Sequence, residues 1–305
     1  MASMALPPHK ATALNMMAKG LNDSCHMKKP IADLSGKTVL ITGSNSGIGL
    51  ACAEMLPTFG VTHLVMAVRT VSKGEAAAAS FWQVYPDCKV EVWELDMLSY
   101  QSIETFANRC KSLPKLDLAI LNAGVGSGNE SRINSLTGHE ETIQVNYLST
   151  ALLSLLLLPI LASTQHLHPS EPSRLLIVGS GTAFFASFPN RNANPLLASF
   201  DVPFSGLSAG AERYSVSKLL VCILVHKLSL FVPASKVIIN TVEPGLTSGT
   251  SLHRDFTGAG KYFMAGMKKL SAKSTEEAAW TYIDAVAVHG KESHGGMIMF
   301  WEVCG

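Results

Sequence analysis

A doubly wound α/β fold around a mostly parallel sheet is predicted by three features of this 305-residue sequence. Short apolar runs alternate with helical patterns, a glycine-spaced turn joins the first run to the first helix, and hydrophobic residues make up 47% of the chain against 15% charged. That balance suits a sheet covered by helices on both faces. Residues 1–35, with Pro7, Pro8, Pro30 and little periodicity, are read as an N-terminal extension, and residues 36–305 as one domain. Within the domain, strands are expected at Thr38–Thr42, Leu64–Val68, Val90–Leu95, Leu118–Leu121, Leu175–Val178 and Val237–Thr241, linked by right-handed helical crossovers. Pro57 and Gly60 close the first helix. Pro159 is expected to kink or end a long helix that begins near Leu136.

Composition narrows the function classes. Lys and Arg number 24 against 23 for Asp and Glu, so the net charge of +1 offers no field for gripping nucleic acid. The six cysteines are scattered, with no C-x-x-C pair and no His/Cys cluster at metal spacing, which predicts a reduced compartment and no metal site. The opening residues lack the apolar core of a signal peptide. The most apolar stretch, Ala151 to Ala162, is shorter than the roughly 20 residues that span a bilayer, so no transmembrane segment is expected and the reading is cytoplasmic.

The segment Gly43-Ser44-Asn45-Ser46-Gly47-Ile48-Gly49 follows a strand and opens a helix. Gly43 permits a tight turn, Gly47 lets backbone approach a pyrophosphate, and Gly49 allows close helix packing, with free amides and the helix dipole facing phosphate. The second strand ends at Arg69, where an acid would bind the adenosine ribose. A guanidinium there pairs with a 2′-phosphate, so the cofactor expected is NADP(H).

Tyr214 and Lys218 lie at i and i+4 in A-E-R-Y-S-V-S-K, on one face of a helix. An ammonium about 4 Å from a phenol, at an effective dielectric of about 20, favours the ionised form by roughly 4 kcal/mol, or about three pKa units. Such a tyrosine passes a proton to a carbonyl oxygen or takes one from an alcohol.

In their order along the chain these motifs resemble the short-chain dehydrogenase/reductase family over residues 36 to about 300: Thr42 to Gly49, Asp96-Met97, Asn122-Ala123-Gly124, Asn146, Ser180, Tyr214, Lys218 and Pro244-Gly245. Local cues, A-V-R-T at 67–70 and N-T-V-E-P-G-L at 240–246, are most similar to retinol-dehydrogenase-related members and reductases of fungal natural-product pathways. The resemblance implies a Rossmann-type sheet and roles for each position. Ser180 orients the substrate oxygen, Tyr214 transfers the proton, Lys218 holds the nicotinamide ribose and tunes the phenol, and Asn146 keeps a relay water. Asp96 and Met97 flank the adenine, Asn122 to Gly124 line the ribose, and Pro244, Gly245 and Thr247 shape the nicotinamide pocket. Asp96 capping the following helix is the alternative. A homodimer or homotetramer is implied as well.

Some positions depart from the family pattern. Gly179 stands where serine is frequent, Glu243 precedes the Pro-Gly turn, and Gly249 leaves Thr247, Ser248 or Thr250 to meet the carboxamide. Ser180 and Tyr214 are 34 positions apart, which marks an insertion at about 182–211 carrying Phe184, Phe185, Phe188, Phe200 and Phe204. These rings either wall an apolar pocket for a bulky substrate or anchor the loop on the core. A substrate lid is expected at about 246–272, with Gly258 and Gly260 as hinges. The resulting expectation is an NADPH-dependent oxidoreductase acting on a ketone, aldehyde or alcohol of a bulky apolar small molecule, a secondary-metabolite intermediate. The alternative is a non-redox cyclase, dehydratase or isomerase using Tyr214 as acid or base.

Overall fold

The strands are β1 (Thr38–Thr42), β2 (His63–Val68), β3 (Lys89–Glu94), β4 (Leu118–Leu121), β5 (Ser173–Val178), β6 (Val237–Val242), β7 (Met297–Met299) and β8 (Glu302–Cys304). The computed structural model describes residues 29–126, 128–164, 171–250 and 272–304. All eight strands form one sheet in the order β3-β2-β1-β4-β5-β6-β7-β8. Every pairing is parallel except that of β7 with β8. The order reverses between β1 and β4, and such a switch point opens a crevice beyond the carboxyl ends of the strands.

Among the described residues six helices cover the sheet: α1 (Gly47–Met55), α2 (Val71–Val84), α3 (Tyr100–Cys110), α4 (Glu141–Thr164), α5 (Leu207–Phe231) and α6 (Thr275–Ala287). The alternation of β1 sorts its side chains to opposite layers. Val39 and Ile41 pack with Ala53, Phe81, Tyr282 and Ile283 on one face, while Leu40 meets Ile103, Phe106, Leu157 and Val221 on the other. Both faces are therefore dry, which is why the strands read as continuous apolar runs.

Three details differ from expectation. The β7–β8 hairpin was not foreseen. It turns on Phe300 and Trp301, whose φ values of 54° and 66° are left-handed. Helix α4 begins at Glu141 rather than near Leu136, because Gly138 turns at φ 76° and the Glu140 carboxylate caps the helix by accepting from Ile143 N at 3.0 Å. Pro159 sits inside α4 without ending it. Ala151–Ala162 is thus part of a continuous helix which, like α5, is long and apolar enough to cross a membrane by length and composition. Burial argues against that use: Leu153, Leu157 and Leu161 of α4 and Val221 and Val225 of α5 sit in the same core cluster against the sheet.

The first helix closes as expected, through a 3-10 turn at Leu56–Phe59 and a left-handed Gly60. Residues 1–28 of the expected extension lie outside the described residues, but Leu34 is buried in the core and its N–H donates to Phe59 O at 2.8 Å. The described cysteines are free thiols, and no cluster of metal-ligating side chains occurs among the described residues.

Candidate active site

The glycine turn lies at the carboxyl end of β1, beside the switch point. Gly43 and Gly47 adopt φ of 67° and 60°, where a side chain is strained. Ser46, the residue before α1, makes no side-chain cap, so the first-turn amides of α1 keep their donors for an anion. Gly49 allows the close packing expected of it, against the end of β1 and Asn122. A Cβ there would meet both Gly43 O and Asn122 Nδ2 at 2.5 Å. Asn122 holds the turn from below, donating to Thr42 O at 2.8 Å and Gly43 O at 3.3 Å, while Ala123 N donates to Thr42 Oγ1 at 2.9 Å. Ser44 is buried, Asn45 and Ile48 are half-buried and Ser46 is exposed. This cradle, which side chains would fill, fits a dinucleotide pyrophosphate.

Arg69 is exposed just beyond β2 and makes no ion pair among the described residues. Asp96 does not cap α3; Ser99 does, accepting from Ser102 N at 3.2 Å. Asp96 instead closes a local turn, accepting from Leu98 N at 3.0 Å. The Met97 side chain is buried in the core.

Ser180, Tyr214 and Lys218 converge beyond the end of β5. The Ser180 hydroxyl stands near enough to the Tyr214 phenol to favour its ionised form. Ser180 also accepts from Thr182 Oγ1 at 3.0 Å at the start of a 3-10 turn over Gly181–Phe185. Lys218 is only 5% exposed; its ammonium donates to Val178 O at 2.8 Å and lies 5.9 Å from the centroid of the Tyr214 ring. Burial pushes Lys218 down to about 8, against the opposing pull of Cys222. The expected lowering of the phenol is overturned. Burial pushes Tyr214 up to about 12, the neighbouring Ser180 hydroxyl opposes this, and the Glu243 charge adds to it. Desolvation of the phenolate outweighs a cation that burial itself discourages.

Asn146 is buried on a π-helical turn, Gln144–Ser149, at the start of α4. Its amide donates to Val125 O at 2.9 Å and Ser217 Oγ at 3.0 Å, and its Oδ1 accepts from Val125 N at 2.9 Å. Both amide protons are therefore engaged with protein, and Ser217 passes the link on to Tyr214 O at 2.7 Å. A Cβ on Gly124 would stand 3.6 Å from Lys218 Nζ, so the Asn122-Ala123-Gly124 turn reaches Lys218. Gly179 replaces the more frequent serine because a Cβ would lie 2.6 Å from Thr241 Oγ1.

At the other rim, Gly245 follows Pro244 with φ 84°, and the buried Lys273 crosses it so closely that a Cβ would meet Lys273 Cε at 3.1 Å. Thr247 Oγ1 donates to Gly245 O and Ser248 Oγ to Lys273 O, each at 3.0 Å. Thr250 is the one of the three candidates that reaches the glycine turn, 3.6 Å from where a Gly47 Cβ would be. Most of the expected lid, with Gly258 and Gly260, lies outside the described residues.

The insertion resolves into two parts. Phe200 is 1% exposed, and the Arg213 guanidinium sits over the Phe200 and Phe204 rings at 5.2 and 5.1 Å. Arg213 also donates to Phe200 O and pairs with the buried Glu140 at 3.6 Å. Asp201 accepts from Glu140 N and from His139 Nδ1, each at 3.0 Å. That half is an anchor. Phe184 and Phe185, by contrast, are 41% and 47% exposed beside Ser180. Sequence reading missed Ser217, Arg213, Glu140, Lys273 and Tyr282; only the position of Arg213 next to Tyr214 offered a signal.

A family model for the short chain dehydrogenase matches residues 37–187. The chain is 44% identical over 275 residues to the short chain dehydrogenase/reductase mfmJ of Annulohypoxylon moriforme, covering 90% of this chain and 78% of that one. It is 40% identical to the short chain dehydrogenase opdN of Penicillium oxalicum, covering 87% and 88%. Its fold is similar to that of L-sorbose reductase from Gluconobacter frateurii, solved with NADPH and L-sorbose, with a TM-score of 0.64 at 20% identity over 87% of this chain and 95% of that one. The extent of identity to mfmJ and opdN establishes that this chain is an enzyme of the short-chain dehydrogenase/reductase family.

Proposed function

We propose that the enzyme uses NADP(H) to reduce a ketone or aldehyde, or to oxidise the corresponding alcohol, of a bulky apolar small molecule. The observation that carries this reading is the convergence of Ser180 at the end of β5 with Tyr214 on α5, with buried Lys218 one helical turn behind and 5.9 Å from the centre of the Tyr214 ring. Gly43 to Gly49 would hold the pyrophosphate, Arg69 the 2′-phosphate, Asp96 the adenine, Asn122 to Gly124 and Lys218 the ribose, and Pro244 to Thr247 the nicotinamide. When bound, the cofactor supplies or accepts hydride at the substrate carbon.

The chain's own residues do the rest. Ser180 donates to the substrate oxygen and fixes its position, and Tyr214 delivers a proton to that oxygen as charge develops there. A phenol held at about 12 is protonated at neutral pH, which suits the reductive direction. Lys218 loses charge more readily than a free lysine, so it can pass a proton toward Tyr214 after each turnover. Asn146 acts by holding Val125 and Ser217 in place. Exposed Phe184 and Phe185 support an apolar substrate, and the similarity to mfmJ and opdN supports a natural-product pathway. A second copy is proposed to cover Leu155 of α4 and Ile223 of α5, giving a homodimer or homotetramer. Product analysis tests the reaction: a two-dalton mass change, as hydride plus proton requires, supports it, and an unchanged mass assigns Tyr214 to a non-redox rearrangement.

A further inference from the structure

We propose that Tyr282 is a positioning residue for the dinucleotide, acting through Asn122 to hold the glycine turn in its binding shape. This rests on the reading that the turn binds a dinucleotide. Tyr282 lies on α6, 160 positions from Asn122, and is fully buried among the α1 and α6 side chains. Its hydroxyl donates to Asn122 Oδ1 at 2.9 Å. The Thr42 and Gly43 carbonyls only accept, so Nδ2 faces the turn and donates to both, while the Tyr282 hydroxyl donates to Oδ1 and holds the amide in that position.

Those two carbonyls flank the left-handed Gly43, and space around the amide is short on every side. A Cβ at Gly49 would stand 2.5 Å from Asn122 Nδ2 and one at Gly43 3.2 Å from it. The two glycines thus leave room for the amide, and the carbonyls it faces set its orientation. A flipped Asn122 would set its oxygen against the Thr42 and Gly43 carbonyls, which repels, and its NH2 against the Tyr282 hydroxyl. Tyr282 therefore does for the cofactor turn what a cap does for a helix, from a helix on the far side of α1. Removing its hydroxyl leaves the fold's apolar contacts intact and frees the amide.

The test uses the full-length protein and the isosteric Tyr282→Phe. Hydrogen exchange is followed for the Thr42–Gly49 amides without cofactor, and the Kd for NADPH is measured. Faster exchange confined to that turn and NADPH binding weaker by about five- to tenfold are expected, with kcat at saturating NADPH within about twofold. Asn122→Asp keeps the acceptor for Tyr282 but loses the donor to Thr42 and Gly43, so it should speed the same exchange. In an Asn122→Ala background, Tyr282→Phe should have no further effect. Wild-type exchange and Kd in Tyr282→Phe, even with a lowered Tm, would overturn the proposal, as would additive effects in the double variant. If the wild type binds neither NADPH nor NADH, the dinucleotide reading fails and the role proposed for Tyr282 fails with it. If the wild type binds and only Tyr282→Phe is unchanged, this inference alone falls.

Discussion

Lys218 donates a hydrogen bond to the Val178 carbonyl at 2.8 Å while standing 5.9 Å from the centre of the Tyr214 ring, so the lysine bridges the end of β5 and the Tyr214 phenol. The two residues are held one turn apart on α5, and burial moves both toward their neutral forms.

The first consequence concerns stability. Lys218 falls from its ordinary 10.5 to about 8, so between those values the unfolded chain keeps a proton that the folded chain has lost. Its burial therefore costs most below pH 8, by up to about 3 kcal/mol, and that cost fades as pH rises toward 10. Lys218→Met should be more stable than wild type at pH 7 by about 1–3 kcal/mol, with the gap narrowing by pH 10. The comparison must be made between the two proteins, because Cys88 and Cys222 are raised to about 11 by burial and both lose stability together above pH 9. Denaturant unfolding at pH 7 to 10 measures the gap; a constant gap contradicts the assignment.

Cofactor choice hangs on Arg69, which is exposed and makes no ion pair among the described residues. Charge-assisted pairing to a phosphate contributes about 1.5–3 kcal/mol. Titration should show NADPH binding at least about tenfold more tightly than NADH, and Arg69→Ala should erase most of that difference. Equal affinities in the wild type would remove the argument.

The fold was legible because its signals are local. Six strands announced themselves as apolar runs; polar His63, Lys89 and Ser173 extend the starts of three of them, and at the other end β3 stops short of Leu95 while β6 gains Val242. The β7–β8 hairpin was silent for a physical reason. Its turn needs two left-handed residues, normally Asn-Gly or Asp-Gly, and this chain uses Phe300 and Trp301. In the site, the glycine turn and the Tyr214–Lys218 pair were readable from spacing. Tyr282 on Asn122 and Arg213 on Glu140 were not, since each joins segments with no shared local pattern.

Arg213 offers a test of the anchored half of the insertion. Arg213→Ala would leave the Glu140 carboxylate buried without its cation and strip the guanidinium from Phe200 and Phe204. A loss of about 3 kcal/mol is expected, and adding Glu140→Gln should recover part of it. Thermal unfolding of the single and double variants decides; a wild-type Tm for Arg213→Ala would show that the loop is held by other contacts.

Assembly is checked by light scattering. Leu155 and Ile223 are large apolar side chains exposed on α4 and α5, and a covered face of this kind favours a symmetric dimer. The wild type should be dimeric or tetrameric at micromolar concentration, and Leu155→Glu with Ile223→Glu should shift it toward monomer. A wild type found only as monomer contradicts the interface.

The central claim is that Tyr214 carries the proton, and Tyr214→Phe tests it most directly because it removes the hydroxyl and keeps the ring. Ser180→Ala should mainly lower kcat, since its hydroxyl acts where charge develops, whereas Lys218→Ala should weaken both NADPH binding and turnover. With the substrate in hand, the decisive measurement is the turnover of Tyr214→Phe alongside its NADPH affinity. The account predicts turnover reduced by at least about a hundredfold with the Kd for NADPH nearly unchanged; turnover within a few-fold of wild type would contradict it.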